Sequence, residues 1–275
     1  MRKILAVMLA LMLCGCGRGF DAGGEITLIS REDGSGTRRA FTEIFGLFDG
    51  RRDFTSKDSL IANKTDILLA NVAGNPQAVG YTSASAAGGV KMLAVDGVYP
   101  TAENITGGSY KAVRRFSAVY KNDVSAAARD FIRFALSRGG QEIAALRYAP
   151  SASAPDEYTP ADARGKITVS GSSSVSPLAE RLREAYLLYN PDVKIEIQLS
   201  DSTSGITDVL NGICDIGLSS RSLTESESAA LKSDVIALDG IAVIVNPHNP
   251  ISEISSAEVR AVFGGEITEW RGLCE

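Results

Sequence analysis

Three stretches of the chain share one pattern: a short β-branched or apolar run, a turn dense in Gly, Ser and Thr, then apolar residues at helical spacing. Ile26-Thr27-Leu28-Ile29-Ser30 runs into Arg31-Glu32-Asp33-Gly34-Ser35-Gly36-Thr37, after which Phe41, Ile44, Phe45 and Phe48 fall on one helical face. Residues 166–169 lead into Ser170-Gly171-Ser172-Ser173-Ser174-Val175-Ser176. Pro177 then suits a first helical turn, and Leu178, Leu182, Ala185, Tyr186 and Tyr189 form a face. Val193, Ile195, Ile197 and Leu199 alternate as a half-buried strand, and Ser200-Asp201-Ser202-Thr203-Ser204-Gly205 precedes Ile206, Val209, Leu210 and Ile213. Repeated strand-turn-helix units predict an α/β fold with mainly parallel sheets and ligand sites at the carboxyl ends of the strands. At a helix start the backbone N–H groups lack partners and the macrodipole is positive, so such turns can hold an anion. Arg31 adds a planar fork that matches two oxygens of a tetrahedral anion. For any single turn, Ser as N-cap and Gly as turn former explain the residues equally well. Three such turns, one carrying Arg, favour anion binding.

Charge agrees with a small ligand rather than a polymer. Lys and Arg number 28 against 33 Asp and Glu, a formal net charge of −5 over 275 residues, and no basic stripe stands out for nucleic acid. The N-terminus carries Arg2 and Lys3, an apolar run over residues 4–13, then Leu13-Cys14-Gly15-Cys16. That run is half of the roughly twenty residues a membrane span needs, so it reads as the core of an export signal. Leu-x-Gly-Cys after such a core resembles the bacterial lipoprotein signal, which implies lipid attachment at Cys16; a plain signal peptide cut nearby is the alternative. Residues 1–16 are then a leader and residues 17–24 a tether to a membrane face.

Catalysis finds little support. His248 is the only histidine, so neither an imidazole metal site nor a Ser-His-Asp site is expected. No Gly-x-Ser-x-Gly elbow or Walker-type loop occurs. Cys214 and Cys274 have dissimilar neighbourhoods and read as free thiols. No enzyme activity, metal or cofactor is expected.

Residues 26–38 closely resemble the Arg-x-x-Gly-Ser-Gly-Thr segment of the phosphate-binding proteins that serve bacterial phosphate ABC transporters. The likeness continues in residues 167–178, in Ser202-Thr203-Ser204-Gly205-Ile206, in Cys214-Asp215-Ile216-Gly217-Leu218-Ser219-Ser220-Arg221 and in residues 238–247. It covers nearly all of the chain after residue 24. In the usual family order the stretch like residues 166–270 comes first and the part like residues 90–150 comes last. Here the halves are exchanged, which looks like a circular permutation, with residues 151–165 as a polar, Pro-containing linker of little folding energy. A fragment of a tandem array, or two chains exchanging halves, are the competing accounts.

The resemblance implies a two-lobed periplasmic-binding-protein-like (type II) fold that traps its ligand by hinge closure. One lobe is expected from residues 25–88 plus 246–275 and the other from residues 89–245. It also implies phosphate contacts from Arg31, Ser35, Gly36 and Thr37 in one lobe and from Ser173, Ser174, Ser202 and Ser220 in the other. Asp33 is expected to orient Arg31, with a solvated carboxylate in the first helical turn as the alternative. Ser219 and Arg221 either join the cage or serve strand-end packing and a surface ion pair. Some family members carry an Asp at the position of Ser220, where it accepts the proton of hydrogen phosphate and rejects sulfate. Asp201 or Asp239 is the candidate to replace it.

The resulting expectation is an exported, monomeric, lipid-anchored phosphate-binding component of an ABC importer, partnering that importer's membrane subunits and no nucleic acid. It acts at the outer face of the cytoplasmic membrane or in the periplasm. Binding of sulfate or molybdate is the nearest alternative, and a secreted hydrolase or an adhesin a more distant one. If Cys16 is acylated, mass spectrometry of the mature protein will find a modified Cys16 as its first residue, and Cys16→Ser will release the body from the membrane fraction. An unmodified first residue beyond Cys16 rejects lipidation.

Overall fold

The computed structural model describes residues 19–151 and 155–273. The leader with Cys16, residues 152–154 and Cys274 lie outside them. Elements run β1 (Thr27–Arg31), α1 (Gly36–Ile44), β2 (Leu60–Ala62), α2 (Thr65–Gly74), β3 (Ala78–Ser83), β4 (Lys91–Met92), β5 (Ala94–Val95), α3 (Ala102–Thr106) and β6 (Val113–Tyr120). They continue with α4 (Ala126–Leu136), α5 (Arg138–Ala145), β7 (Gly165–Ser172), α6 (Ser176–Tyr189), β8 (Val193–Ser200), α7 (Ser202–Leu210) and β9 (Ile216–Ser219). The last are α8 (Glu225–Ala230), β10 (Lys232–Val245), β11 (Glu253–Ile254) and α9 (Ser256–Gly264).

The three strand-turn-helix units form as the sequence predicts, as β1-α1, β7-α6 and β8-α7. Their helical faces differ in detail. Gly46, at φ +68°, ends the first helix early, so Leu47 rather than Phe48 joins Phe41 and Phe45 in the core. Ile44, Leu199 and Ile213 are exposed.

One continuous sheet has the order β2-β1-β3-β10-β6-β9-β7-β8, with β4 also on β10. Parallel groups sit at either end, and β10 and β6 run antiparallel through the middle. Among the described residues four buried apolar clusters follow, two of them large. One gathers Phe116, Phe131, Phe134, Ile167, Leu182 and Ile236, and the other gathers Phe41, Leu93, Tyr110, Ile241, Val243 and Trp270. These memberships move the expected lobe boundaries. Leu93, Val95, Ile105, Tyr110 and Ala112, like Ile241, Val243 and Val245, pack with Phe41 and Trp270. The chain therefore crosses between cores near Val113 and Gly240, not near residues 89 and 245. The reason is register: the first part of β10 pairs with β6 and its last five residues pair with β3, so one strand belongs to both lobes.

Residues 24–26 lie beside residues 268–270, through Ile26 N–H to the Thr268 carbonyl at 2.8 Å and the Glu25–Glu269 bridge. Among the described residues no helix is long and apolar enough to cross a membrane.

Within the polar stretch before β7, residues 156–159 are docked onto the lobe, so the expectation of a loose linker over residues 151–165 does not hold for them. Tyr158 packs edge-on against Phe134 and Tyr189, at centroid distances of 5.0 and 5.5 Å. Its hydroxyl donates to Asp130 Oδ2 at 2.6 Å and accepts from Asn190 Nδ2 at 2.8 Å. Tyr186 donates to the same carboxylate oxygen, and Arg133 donates both to Asp130 and to the Thr159 carbonyl. Burial pushes the Asp130 carboxyl up, but the donors Tyr158, Arg133 and Tyr186 outweigh it and hold the group below its ordinary value. A depressed carboxyl stabilises the fold above its ordinary value, and that contribution is lost as pH falls through the folded-state value. Tyr158→Phe is therefore expected to cost about 2 kcal/mol at neutral pH and to flatten the loss of stability below about pH 4. Denaturant titrations at several pH values check it, and an unchanged acid limb overturns it.

Candidate functional site

Arg31 ends β1 and is almost fully buried, at 3% exposure. Its Nε and Nη2 donate to the two Glu32 carboxylate oxygens, each at 2.8 Å, and its Nη1 donates to Thr65 Oγ1 at 3.0 Å. Nη2 also reaches Ser173 Oγ at 3.4 Å, on the other lobe. The strand end is fixed from behind, because the Arg31 N–H donates to the Tyr81 hydroxyl and the Tyr81 ring stacks on Phe41 at 3.9 Å. Ser35 is the N-cap of α1, accepting from the Arg38 N–H at 3.3 Å, so Gly36 and Thr37 supply the first turn.

The opposing lobe brings up its own turns. Gly171 adopts φ +131°, and an added Cβ would lie 2.4 Å from the Leu218 carbonyl oxygen, a conformation and an approach that only glycine allows. From the turn that follows, Ser174 Oγ lies 2.9 Å from Thr37 Oγ1. Thr65 Oγ1 is 3.4 Å from both Ser173 and Ser174. Ser202, at the start of α7, accepts from the Ser220 N–H at 3.0 Å, and Ser172 Oγ donates to Ser220 Oγ at 3.0 Å. Gly36 faces this pair so closely that an added Cβ would meet Ser202 and lie 2.5 Å from Ser220 Oγ. Arg31, Gly36, Thr37, Ser173, Ser174, Ser202 and Ser220 thus come from separate parts of the chain to one interlobe seam, and Ser35 adjoins it as the N-cap of α1.

The remaining candidates divide. Asp33 does not orient Arg31, which corrects that expectation: its side chain is 95% exposed and pairs with Arg38 at 2.9 Å, while Glu32 holds the Arg31 fork. Asp201 caps α7, accepting from the Thr203 and Ser204 N–H groups at 2.8 and 2.9 Å and from Ser204 Oγ at 2.7 Å. Ser219 donates to the Arg221 carbonyl. Arg221 forks onto Glu227, whose carboxyl it holds down near about 2, and lines a crevice of about 210 Å³ at the edge of the seam with Asp33, Glu43 and Thr203.

Asp239 lies behind the seam, 2% exposed, and accepts from Ser83 Oγ at 2.6 Å and Arg114 Nε at 2.9 Å. Arg114 in turn donates from Nη1 to Thr37 Oγ1 at 2.6 Å. Burial pushes the Asp239 carboxyl up and the Arg114 guanidinium down, each against the attraction of the other. Sequence reasoning missed Arg114, Glu32 and Thr65. A signal existed for Arg114: it shares strand parity with the apolar Phe116 and Ala118, so a charged residue points toward a core.

Comparison with known proteins identifies the family. The model of the PBP superfamily domain matches residues 18–138 and 156–272. The phosphate-binding protein PstS 2 of Streptococcus pneumoniae serotype 4 is 43% identical over 255 residues, 90% of this chain and 88% of the relative. The chain belongs to the phosphate-binding proteins of the PBP superfamily. A solved phosphate-binding protein of a phosphate ABC transporter from Streptococcus pneumoniae has a TM-score of 0.73 at 43% identity, covering 90% of this chain and 99% of that one. The phosphate-binding protein PstS of Bacillus subtilis is 35% identical over only 114 residues, 40% of this chain and 38% of the relative. The two-lobed α/β architecture is thus that of the family.

Gly36→Ala tests the seam. Helix propensity favours Ala, so thermal stability should change by less than about 1 kcal/mol, while the added methyl holds the lobes apart at Ser202 and Ser220. Small-angle scattering should report a larger radius, and anion binding should weaken by more than about tenfold, roughly 1.4 kcal/mol. A variant with the original radius and affinity contradicts the seam.

Proposed function

We propose that this chain is an extracytoplasmic solute-binding protein that captures inorganic phosphate and presents it to the membrane subunits of an ABC importer, without enzymatic activity. The observation that carries the reading is the convergence of a buried guanidinium, Arg31, with hydroxyls and helix-start N–H groups from both lobes at one seam. Such a set neutralises and encloses a small tetrahedral anion. The streptococcal relatives, covered over most of their length, support phosphate over other ligands. Arg31, Ser35, Gly36, Thr37, Ser173, Ser174, Ser202 and Ser220 are the proposed contacts. Closure of the lobes about the β6 and β10 crossing would complete the cage. The anchor is proposed at Cys16, and the working unit as a monomer.

The exchanged segment order is proposed as a circular permutation shared with the streptococcal relatives. Their collinear match over 255 residues, beside the 114-residue match to the Bacillus protein, supports it. So does the adjacency of residues 24–26 and 268–270, since neighbouring ends allow a chain to be rewired without loss of core contacts.

Calorimetry of the mature chain should find one phosphate site per molecule. Arg31→Ala should weaken it by more than about a hundredfold, about 3 kcal/mol, because a buried charge-assisted contact is lost and Glu32 is left unpaired. Saturation by another oxyanion with no heat from phosphate rejects the assignment.

A further inference from the structure

Four carboxylates near the seam, Glu32, Asp33, Asp201 and Asp239, are engaged or turned away. Glu32 spends both oxygens on Arg31, and Asp201 accepts from the start of α7. Asp239 accepts from Ser83 and Arg114, and Asp33 points to solvent and Arg38. Among the described residues, none of these four offers a free oxygen to the hydroxyl cluster of Thr37, Ser174, Ser202 and Ser220. The O–H groups of hydrogen phosphate and of the monoanion then meet hydroxyl oxygens as acceptors rather than a carboxylate, a weaker pairing that costs more for the two O–H groups of the monoanion than for the one of the dianion.

Arg114 sharpens that bias. It lies on β6 in register with Asp239 on β10, both buried, and its Nη1 donates to Thr37 Oγ1 at 2.6 Å. A guanidinium has donors and no acceptor, so one lone pair of the Thr37 oxygen is taken and its proton is free to turn toward Ser174 or an anion beside it. The adjacent positive charge also makes that hydroxyl a better donor and a poorer acceptor. Nη2 lies 2.8 Å from Asp239 Oδ2 but off the hydrogen-bonding axis. It has no hydrogen-bond partner among the described residues, so a buried donor remains on this guanidinium. Other charged and titratable groups facing Arg114 are Arg31 on β1 and Tyr148 after α5. Glu43, Arg115 and Arg221 line the adjoining crevice of about 160 Å³.

We propose that Arg114, held by Asp239, is a specificity-determining residue that commits Thr37 to the donor role, so that the cage selects oxyanions by their charge and discriminates weakly against sulfate. This rests on the phosphate reading and adds to it which ionisation state is captured. The cation acts through Thr37, supplying charge from the strand pair that joins the lobes.

Calorimetric titration of the mature wild-type chain with phosphate, from about pH 8 to about pH 5, gives the first readout. Affinity should fall by close to tenfold per pH unit below the second ionisation of phosphate, as the dianion fraction falls, and sulfate should bind within about a hundredfold of phosphate near neutral pH. The double variant Arg114→Met with Asp239→Asn removes both buried charges and leaves neither unpaired. It should lose more than about tenfold in affinity for the dianion and show a pH slope below about threefold per unit. Ser220→Asp, which adds an acceptor, should weaken sulfate by more than about a hundredfold. Phosphate bound equally well at both ends of the pH range overturns this inference and leaves the phosphate reading intact. Retention of the wild-type slope by the double variant removes Arg114 from it. No phosphate heat at any pH overturns both readings.

Discussion

Arg114 and Asp239 face each other across the two strands by which the chain passes between its cores, and both are out of water. Moving such charges from solvent costs several kcal/mol each, and their attraction offsets this only while geometry and further hydrogen bonds hold. Here Ser83 from β3 satisfies one carboxylate oxygen and Thr37 from α1 accepts one guanidinium N–H. The pair therefore ties four elements together: the crossing strands, the sheet of one lobe and the helix start that carries the seam. Apolar residues could give as much stability at that place. They would not fix the position of Thr37 relative to the crossing, and the seam is built around that position.

The seam holds much hydrogen-bonding capacity and little net charge. Arg31 is balanced by Glu32 and Arg114 by Asp239, so two cations add no excess charge to a chain already at −5. Attraction for an anion then comes from direction rather than from total charge. The Arg31 fork is already held in place by Glu32 and Thr65, and the first N–H groups of α1 and the serine hydroxyls carry partial positive charge on short stems with little rotamer freedom to lose. Long lysines would lose more side-chain entropy and would hold the lobe backbones apart. The absence of a Cβ at Gly36, facing Ser202 and Ser220, is the same requirement expressed in the main chain.

What could be read from the sequence was local. A strand, a Gly/Ser turn and an amphipathic helix are defined within twenty residues, and all three such units formed; the Arg-x-x-Gly-Ser-Gly-Thr turn put Arg31, Gly36 and Thr37 at the seam. What could not be read depended on partners distant in the chain. The lobe boundary shifted because β10 changes partner from β6 to β3 within one unbroken apolar run, and hydrophobicity does not mark that change. Glu32 and Asp33 are chemically alike and adjacent, so only the direction of each side chain off the strand end decides which one holds Arg31. Asp201 and Asp239 looked equivalent as acceptors, yet one caps a helix and the other meets Arg114, a contact between residues 125 positions apart. Phe48 failed as a core residue for a local reason that periodicity ignores, the left-handed Gly46.

The stretch before β7 shows why composition alone misjudges a connection. Its Pro, Asp and Ala residues have the marks of a solvated linker, and closing a loop of that length changes stability by only about 0.6 kcal/mol for each doubling. Tyr158 changes the balance. One aromatic ring fills a site among Phe134, Tyr186 and Tyr189, and its hydroxyl completes the donor set around the buried Asp130. The half-buried ring and a charge-assisted hydrogen bond offset part of the cost of ordering residues 155–159. Any rearrangement of segment order that discards residues 155–159 would leave Asp130 with less of its donor set, whatever it does for chain closure. The connection is thus part of the lobe it enters, and the freedom to rewire this fold lies instead at the paired ends, where residues 24–26 meet residues 268–270 through a few backbone hydrogen bonds.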